Sequence, residues 1–137
     1  MAQIRDLMTE NPSSCERGAS VAEAAKVMAR ENVGPIPIVE GGRLVGVVTD
    51  RDLVVRVIAE GRDPESTTVG EVASSDLVTL SPDDSLHQAL ELLAKHQVRR
   101  LPVVEDERLV GILAQADVAR HAREVQTGEV VEQISKP

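Results

Sequence analysis

No phenylalanine, tyrosine or tryptophan occurs in the 137 residues. The core must therefore be built from Val, Leu, Ile, Met and Ala. Stacking of bases on aromatic side chains, the usual platform for single-stranded nucleic acid, is excluded. Positive charge is also short: 15 Lys and Arg stand against 23 Asp and Glu, a net charge of −8. That balance argues against a broad nucleic-acid surface and leaves room only for a local basic spot holding one small anion. The single cysteine, Cys15, permits no internal disulfide and fits a cytoplasmic protein. No apolar run approaches the roughly 20 residues of a membrane span, and Met1 to Glu10 lacks the apolar stretch of a signal peptide. His87, His96 and His121 are dispersed without metal-ligand spacing. No nucleophile–base pair or glycine-rich phosphate loop is present. The expectation is a protein that is not an enzyme, has no metal site, requires no cofactor, and contacts neither nucleic acid nor membrane.

What the chain does contain is a copy of itself. At an offset of 65 residues, Val33-Gly34-Pro35-Ile36-Pro37-Ile38-Val39-Glu40 falls on Val98-Arg99-Arg100-Leu101-Pro102-Val103-Val104-Glu105. Arg43-Leu44-Val45-Gly46 falls on Arg108-Leu109-Val110-Gly111, and Asp52 on Asp117, with no gap from Ile4/Val69 onward. This period is too long for a solenoid unit. Two copies divide the chain into repeat 1 (3–61), a connector (62–68), repeat 2 (69–124) and a tail (125–137). A half of about 60 residues is marginal alone, so the halves are expected to share a core, with a cleft along their pseudo-two-fold axis.

Each half has the same local signals. Ser20-Val21-Ala22-Glu23 and Ser85-Leu86-His87-Gln88 fit the capping box. They precede apolar positions at helical spacing: Val21, Ala24, Ala25 and Met28 in one copy, Leu86, Ala89, Leu90 and Leu93 in the other. Two hairpins follow, Ile36–Glu40 with Arg43–Thr49 and Leu101–Glu105 with Arg108–Ala114. Gly41-Gly42 suits the positive φ of a tight turn. Second helices are expected at 51–60 and 115–124, and short strands near 13–15 and 77–79. Val130, Val131 and Ile134 suggest a separate short helix in the tail.

In each repeat an apolar-Pro-apolar-apolar strand, an apolar-Gly-apolar strand and a helix with an early Asp follow in order. Together with the opening Ile4-Arg5-Asp6-Leu7-Met8-Thr9, this resembles a tandem CBS-domain pair, or Bateman module. His96-Gln97-Val98-Arg99-Arg100 and Ala116-Asp117-Val118-Ala119-Arg120-His121 are similar to the short stand-alone CBS pairs of actinobacteria, some tied to hypoxia or dormancy. The resemblance implies an α+β fold of two β-α-β-β-α repeats with pseudo-two-fold symmetry, their two sheets packed together. It implies a regulatory or sensor module that binds AMP, ADP, ATP or S-adenosylmethionine between the repeats, forms a homodimer, and signals to a downstream protein in a stress response. A CBS pair that has lost its ligand and serves as a dimerisation platform is the alternative.

Within the resemblance, Thr49 meets a phosphate and Asp52 accepts the ribose hydroxyls. Free N–H groups at a helix start favour phosphate, and a fixed carboxylate can accept two hydrogen bonds from a vicinal diol. Thr49-x-x-Asp52 is equally a good helix cap with an acidic first turn, and the two roles are compatible. Ala114 replaces the threonine in the second copy, so Asp117 is expected to mark a weaker cleft. Arg99 and Arg100, opposite Gly34 and Pro35 in the repeat, are expected to reach phosphate in a composite site with Thr49 and Asp52. Arg51 is a further phosphate candidate, and the purine is expected near Ile36 and Pro37.

Overall fold

The computed structural model describes residues 2–135, with side chains through Val125. In chain order the elements are α1 (Ile4–Leu7), β1 (Thr9–Glu10), β2 (Cys15–Glu16), α2 (Val21–Glu31), β3 (Ile36–Glu40), β4 (Arg43–Val48) and α3 (Asp50–Leu53), which continues into a π turn (Val54–Ile58). There follow α4 (Val69–Val72), α5 (Leu86–His96), β5 (Arg100–Glu105), β6 (Arg108–Ala114) and α6 (Gln115–Ser135). The class is α+β, as expected.

Capping starts the long helices. The Ser20 hydroxyl accepts from the Glu23 N–H at 3.1 Å. Ser85 does the same for Gln88 at 3.2 Å, while the Gln88 side chain accepts from the Ser85 N–H at 2.8 Å. Helix α2 buries Val21, Ala24 and Met28, and α5 buries Ala89 and Leu93. Ala25 and its repeat mate Leu90 were expected on these faces but are exposed, so the buried stripe is narrower than the apolar pattern. Both hairpins form. Gly41 and Gly42 take φ of 59° and 86°, and Asp106 and Glu107 adopt the same left-handed turn at 53° and 66° without glycine.

Of the short strands expected near 13–15 and 77–79, the first appears as β2 and the second is reduced to a single bridge between Leu80 and Val103. Three further differences from expectation have physical causes. The helix expected at 51–60 becomes α3 plus a π turn, closed by Ala59 N–H to the Val54 carbonyl at 2.8 Å and Arg62 N–H to Val57 at 2.9 Å. Four of its five residues are β-branched, which crowds an ordinary α-helix. The expected separate tail helix is instead the continuation of α6 to Ser135; one glycine inside a long helix costs only about 1 kcal/mol. The side chains of Val130, Val131 and Ile134 lie outside the described ones. Finally, the two expected sheets are linked. Arg43 pairs with Arg108 at the hairpin tips, giving a connected path β1-β6-β4-β3-β2 with β5 also on β6. The junction is held by Leu44 N–H to the Glu107 carbonyl and Leu109 N–H to the Gly42 carbonyl, both at 3.1 Å, with an ion pair between Arg43 and Glu107.

Each repeat lends its opening segment to the other. Ile4 is buried with Leu80, Leu93, Leu101, Val103 and Leu113 of the second half, while Val69 and Val72 complete the first-half core with Val21, Ile36, Ile38 and Val48. Strand β1 pairs with β6, and Ser74 pairs with Val47 in β4 at the equivalent register. This exchange explains the apolar-Gly-apolar strands. A Cβ on Gly46 would sit 3.2 Å from both Ala73 Cβ and the Ser74 carbonyl oxygen. On Gly111 it would sit 2.5 Å from Met8 Sδ. The crossed segments also wall the clefts between the repeats.

Candidate functional site

Two related cavities open between the repeats. The larger, about 730 Å³, brings Thr49 and Asp52 of repeat 1 together with Arg99 and Arg100 of repeat 2. Thr49 follows β4 and caps α3: its hydroxyl accepts from the Asp52 N–H at 3.1 Å, and Asp52 Oδ2 accepts from the Thr49 N–H at 2.8 Å. The capping role is therefore filled, and it holds the carboxylate still. Asp52 Oδ1 remains: the charged group near it is Arg56, with Nε at 3.8 Å, beyond hydrogen-bonding distance. The Asp52 side chain keeps 17% exposure, so this oxygen is an available acceptor.

The repeat mate is committed more fully. Asp117 Oδ2 accepts from the Ala114 N–H at 3.0 Å, and its Oδ1 accepts from Arg120 Nη2 at 2.7 Å. Asp117 faces the smaller cavity, about 310 Å³, which also takes in Ala114, Glu31, Pro35 and Arg100. At the repeat offset, Ala114 stands for Thr49, Pro35 for Arg100 and Glu31 for His96. Each exchange removes a group that would favour an anion.

Two expected placements are corrected. Ile36 and Pro37 line the smaller cavity beside Asp117; Leu101 and Pro102, their repeat mates, supply the apolar wall beside Thr49. Arg51 lines neither cavity; its side chain is exposed, and its N–H donates to Asp50 Oδ1 at 3.0 Å. Sequence reasoning missed Arg56, Asp76 and His96, all on the larger cavity. Arg56 had a readable signal, its i,i+4 spacing from Asp52. Asp76 had none. Among the described residues, neither Arg99 nor Arg100 forms an ion pair. Their charge is free to meet an anion in the cavity, where Asp50, Asp52 and Asp76 balance Arg56, Arg99 and Arg100.

Reactive groups are scarce. Cys15 is 6% exposed, and burial, reinforced by Glu23, pushes its thiol pKa up, away from the nucleophilic thiolate. Among the described residues, no group of three or more His, Cys, Asp or Glu could hold a metal ion, and no helix is long and apolar enough to cross a membrane.

Known proteins share this architecture. The family model described as CBS domain matches residues 4–59 and again 69–124. CBS domain-containing protein YhcV of Bacillus subtilis is 45% identical over 87% of this chain and 84% of its own length. Hypoxic response protein 1 of Mycobacterium tuberculosis is 36% identical over 100% of this chain and 96% of its own. A crystal structure of Hypoxic Response Protein I with two coordinated zinc ions superposes with a TM-score of 0.80 at 37% identity, covering 88% of this chain and 99% of that one. CBSX2 in complex with AMP gives 0.80 at 28% identity, covering 92% and 99%. The CBS domain pair of MJ0100, in complex with 5′-methylthioadenosine and S-adenosyl-L-methionine, gives 0.74 at 26%, covering 90% and 98%.

Proposed function

The chain belongs to the CBS-domain family, with two CBS domains in tandem, and on that premise we propose that it is a regulatory module that binds one adenosine nucleotide per chain in its larger cleft. The observation that carries this reading is the unfilled Asp52 Oδ1 in a cavity that also holds Thr49 and two arginines of the other repeat that form no ion pair among the described residues. A ribose diol donates to Asp52, and the phosphate meets the Thr49 hydroxyl with Arg99 and Arg100. The base lies against Leu101 and Pro102, since no ring is available to stack on it. Adenosine ligands in the related CBSX2 and MJ0100 structures support the ligand class. The candidates are AMP, ADP and ATP, together with S-adenosylmethionine, which shares the adenosine but has no phosphate for Thr49 and the arginines. The module catalyses no reaction and requires no cofactor.

In this reading the protein works in the cytoplasm as a homodimer, and the ligand acts by favouring one of two arrangements that a downstream protein distinguishes. The exposed Val54, Val55 and Ile58 offer an apolar face for self-association. The same face, with Ala114 and Pro35 in the smaller cleft, favours a second reading, a dimeric platform without ligand.

Paired substitutions test the proposal. Asp52→Ala weakens AMP or ADP by about 1–3 kcal/mol, the range for hydrogen bonds to a charged group, whereas Asp117→Ala leaves affinity nearly unchanged. Equal losses at the two positions would refute the one-cleft assignment. A dimeric wild-type chain that binds none of the four ligands would favour the platform.

A further inference from the structure

The two repeats treat their site carboxylates differently, and the difference lies in where each helix carries its arginine, at 120, three residues after Asp117, or at 56, four residues after Asp52. In repeat 2 a guanidinium hydrogen-bonds Asp117 Oδ1 directly at 2.7 Å. In repeat 1 Arg56 stands off from Asp52 Oδ1, its Nε at 3.8 Å, and its Nη1 donates to the Val72 carbonyl at 2.9 Å. Val72 ends α4, the segment exchanged into repeat 1, and Arg56 lies within the π turn. The guanidinium is thus fixed on the cavity wall by a bond independent of Asp52, and it lines the same cavity as Arg99 and Arg100.

Building on the nucleotide reading above, we propose that Arg56 determines ligand specificity, by setting the cleft's preference for phosphorylated over neutral nucleosides. A neutral nucleoside brings a diol to Asp52 but nothing for Arg56. The arginine then keeps its attraction to the carboxylate and competes with the hydroxyls for it. A nucleotide supplies a second anion within the cavity. Arg56 exchanges a loose ion pair for a charge-assisted hydrogen bond to phosphate and leaves Asp52 to the ribose. The residue therefore acts with opposite sign on the two ligand classes, which a purely structural contact does not do. His121 occupies the equivalent position in repeat 2, so the device is confined to the larger cleft.

Titration of adenosine and ADP into wild type, Arg56→Ala and Arg56→Lys tests this. In Arg56→Ala, ADP binds roughly tenfold more weakly, the effect of losing one charged hydrogen bond, while adenosine binds at least as tightly as before. Arg56→Lys, which keeps the charge, recovers part of the ADP affinity. Full ADP affinity in Arg56→Ala would overturn the inference, as would equal weakening of both ligands, the mark of a damaged cleft. A wild-type chain that binds neither ligand would overturn the nucleotide reading itself, and this inference with it.

Discussion

A methyl group on Gly111 would stand 2.5 Å from Met8 Sδ and 3.0 Å from the Thr9 carbonyl oxygen. The sulfur can move; the carbonyl belongs to β1, whose pairing with β6 runs through the same residues. Gly111→Ala should therefore cost about 1–3 kcal/mol, the usual penalty of overpacking, measurable as a lower urea midpoint. An unchanged midpoint would mean that the opening segment is held loosely. Other residues were partly legible in the sequence. The Thr49-x-x-Asp52 spacing announced a cap, and the repeat identified Ala114 as its defective mate. Whether the second Asp52 oxygen stays free was not legible, because Arg56, four residues on, is bonded instead to the Val72 carbonyl, a contact across 16 residues. Ile36 and Pro37 were assigned to the wrong cleft for a related reason. The offset equates them with Leu101 and Pro102 but carries no information on which copy faces which cavity.

Among elements, α4 illustrates a cap with a pH signature. Glu71 accepts from the Thr68 N–H at 2.7 Å and from its hydroxyl at 3.0 Å. These bonds, the backbone one first, then Arg62, hold its carboxyl below the ordinary value of 4.5. The folded state thus binds this proton less readily than the unfolded chain does. The associated stability is fully present above pH 4.5 and is lost as pH falls through the lower, folded value. Glu71→Gln should flatten the decline of melting temperature with acid; a decline identical to wild type would contradict the role. Capping boxes and hairpin turns are local, and the sequence shows them well. The π turn is less visible, since a run of β-branched residues with one arginine reads equally as a helix or a strand. The extension of α6 through Gly128 was missed because glycine signals an end that a long helix overrides.

For the whole molecule, the exchange of opening segments decides what the protein can be. Ile4 is fully buried in the core of repeat 2, and Val69 in that of repeat 1. Neither half is complete without the other, and the binding cavities exist only where the halves meet. The internal repeat pointed to a cleft between the halves, the family resemblance to a cleft in each copy, and the exchange of Thr49 for Ala114 to a difference between them. The crossing itself left no trace in periodicity or spacing, because it concerns pairing between residues about a hundred positions apart, such as Thr9 and Ile112.

The central claim is that these unequal clefts leave one working nucleotide site per chain. Isothermal titration of AMP, ADP, ATP and S-adenosylmethionine into the purified protein tests it directly, with concentration set by peptide absorbance because Trp and Tyr are absent. The account predicts saturation by at least one of these ligands at one equivalent per chain. Saturation at two equivalents would contradict it, and so would heat-silent titrations with no shift in melting temperature at millimolar ligand.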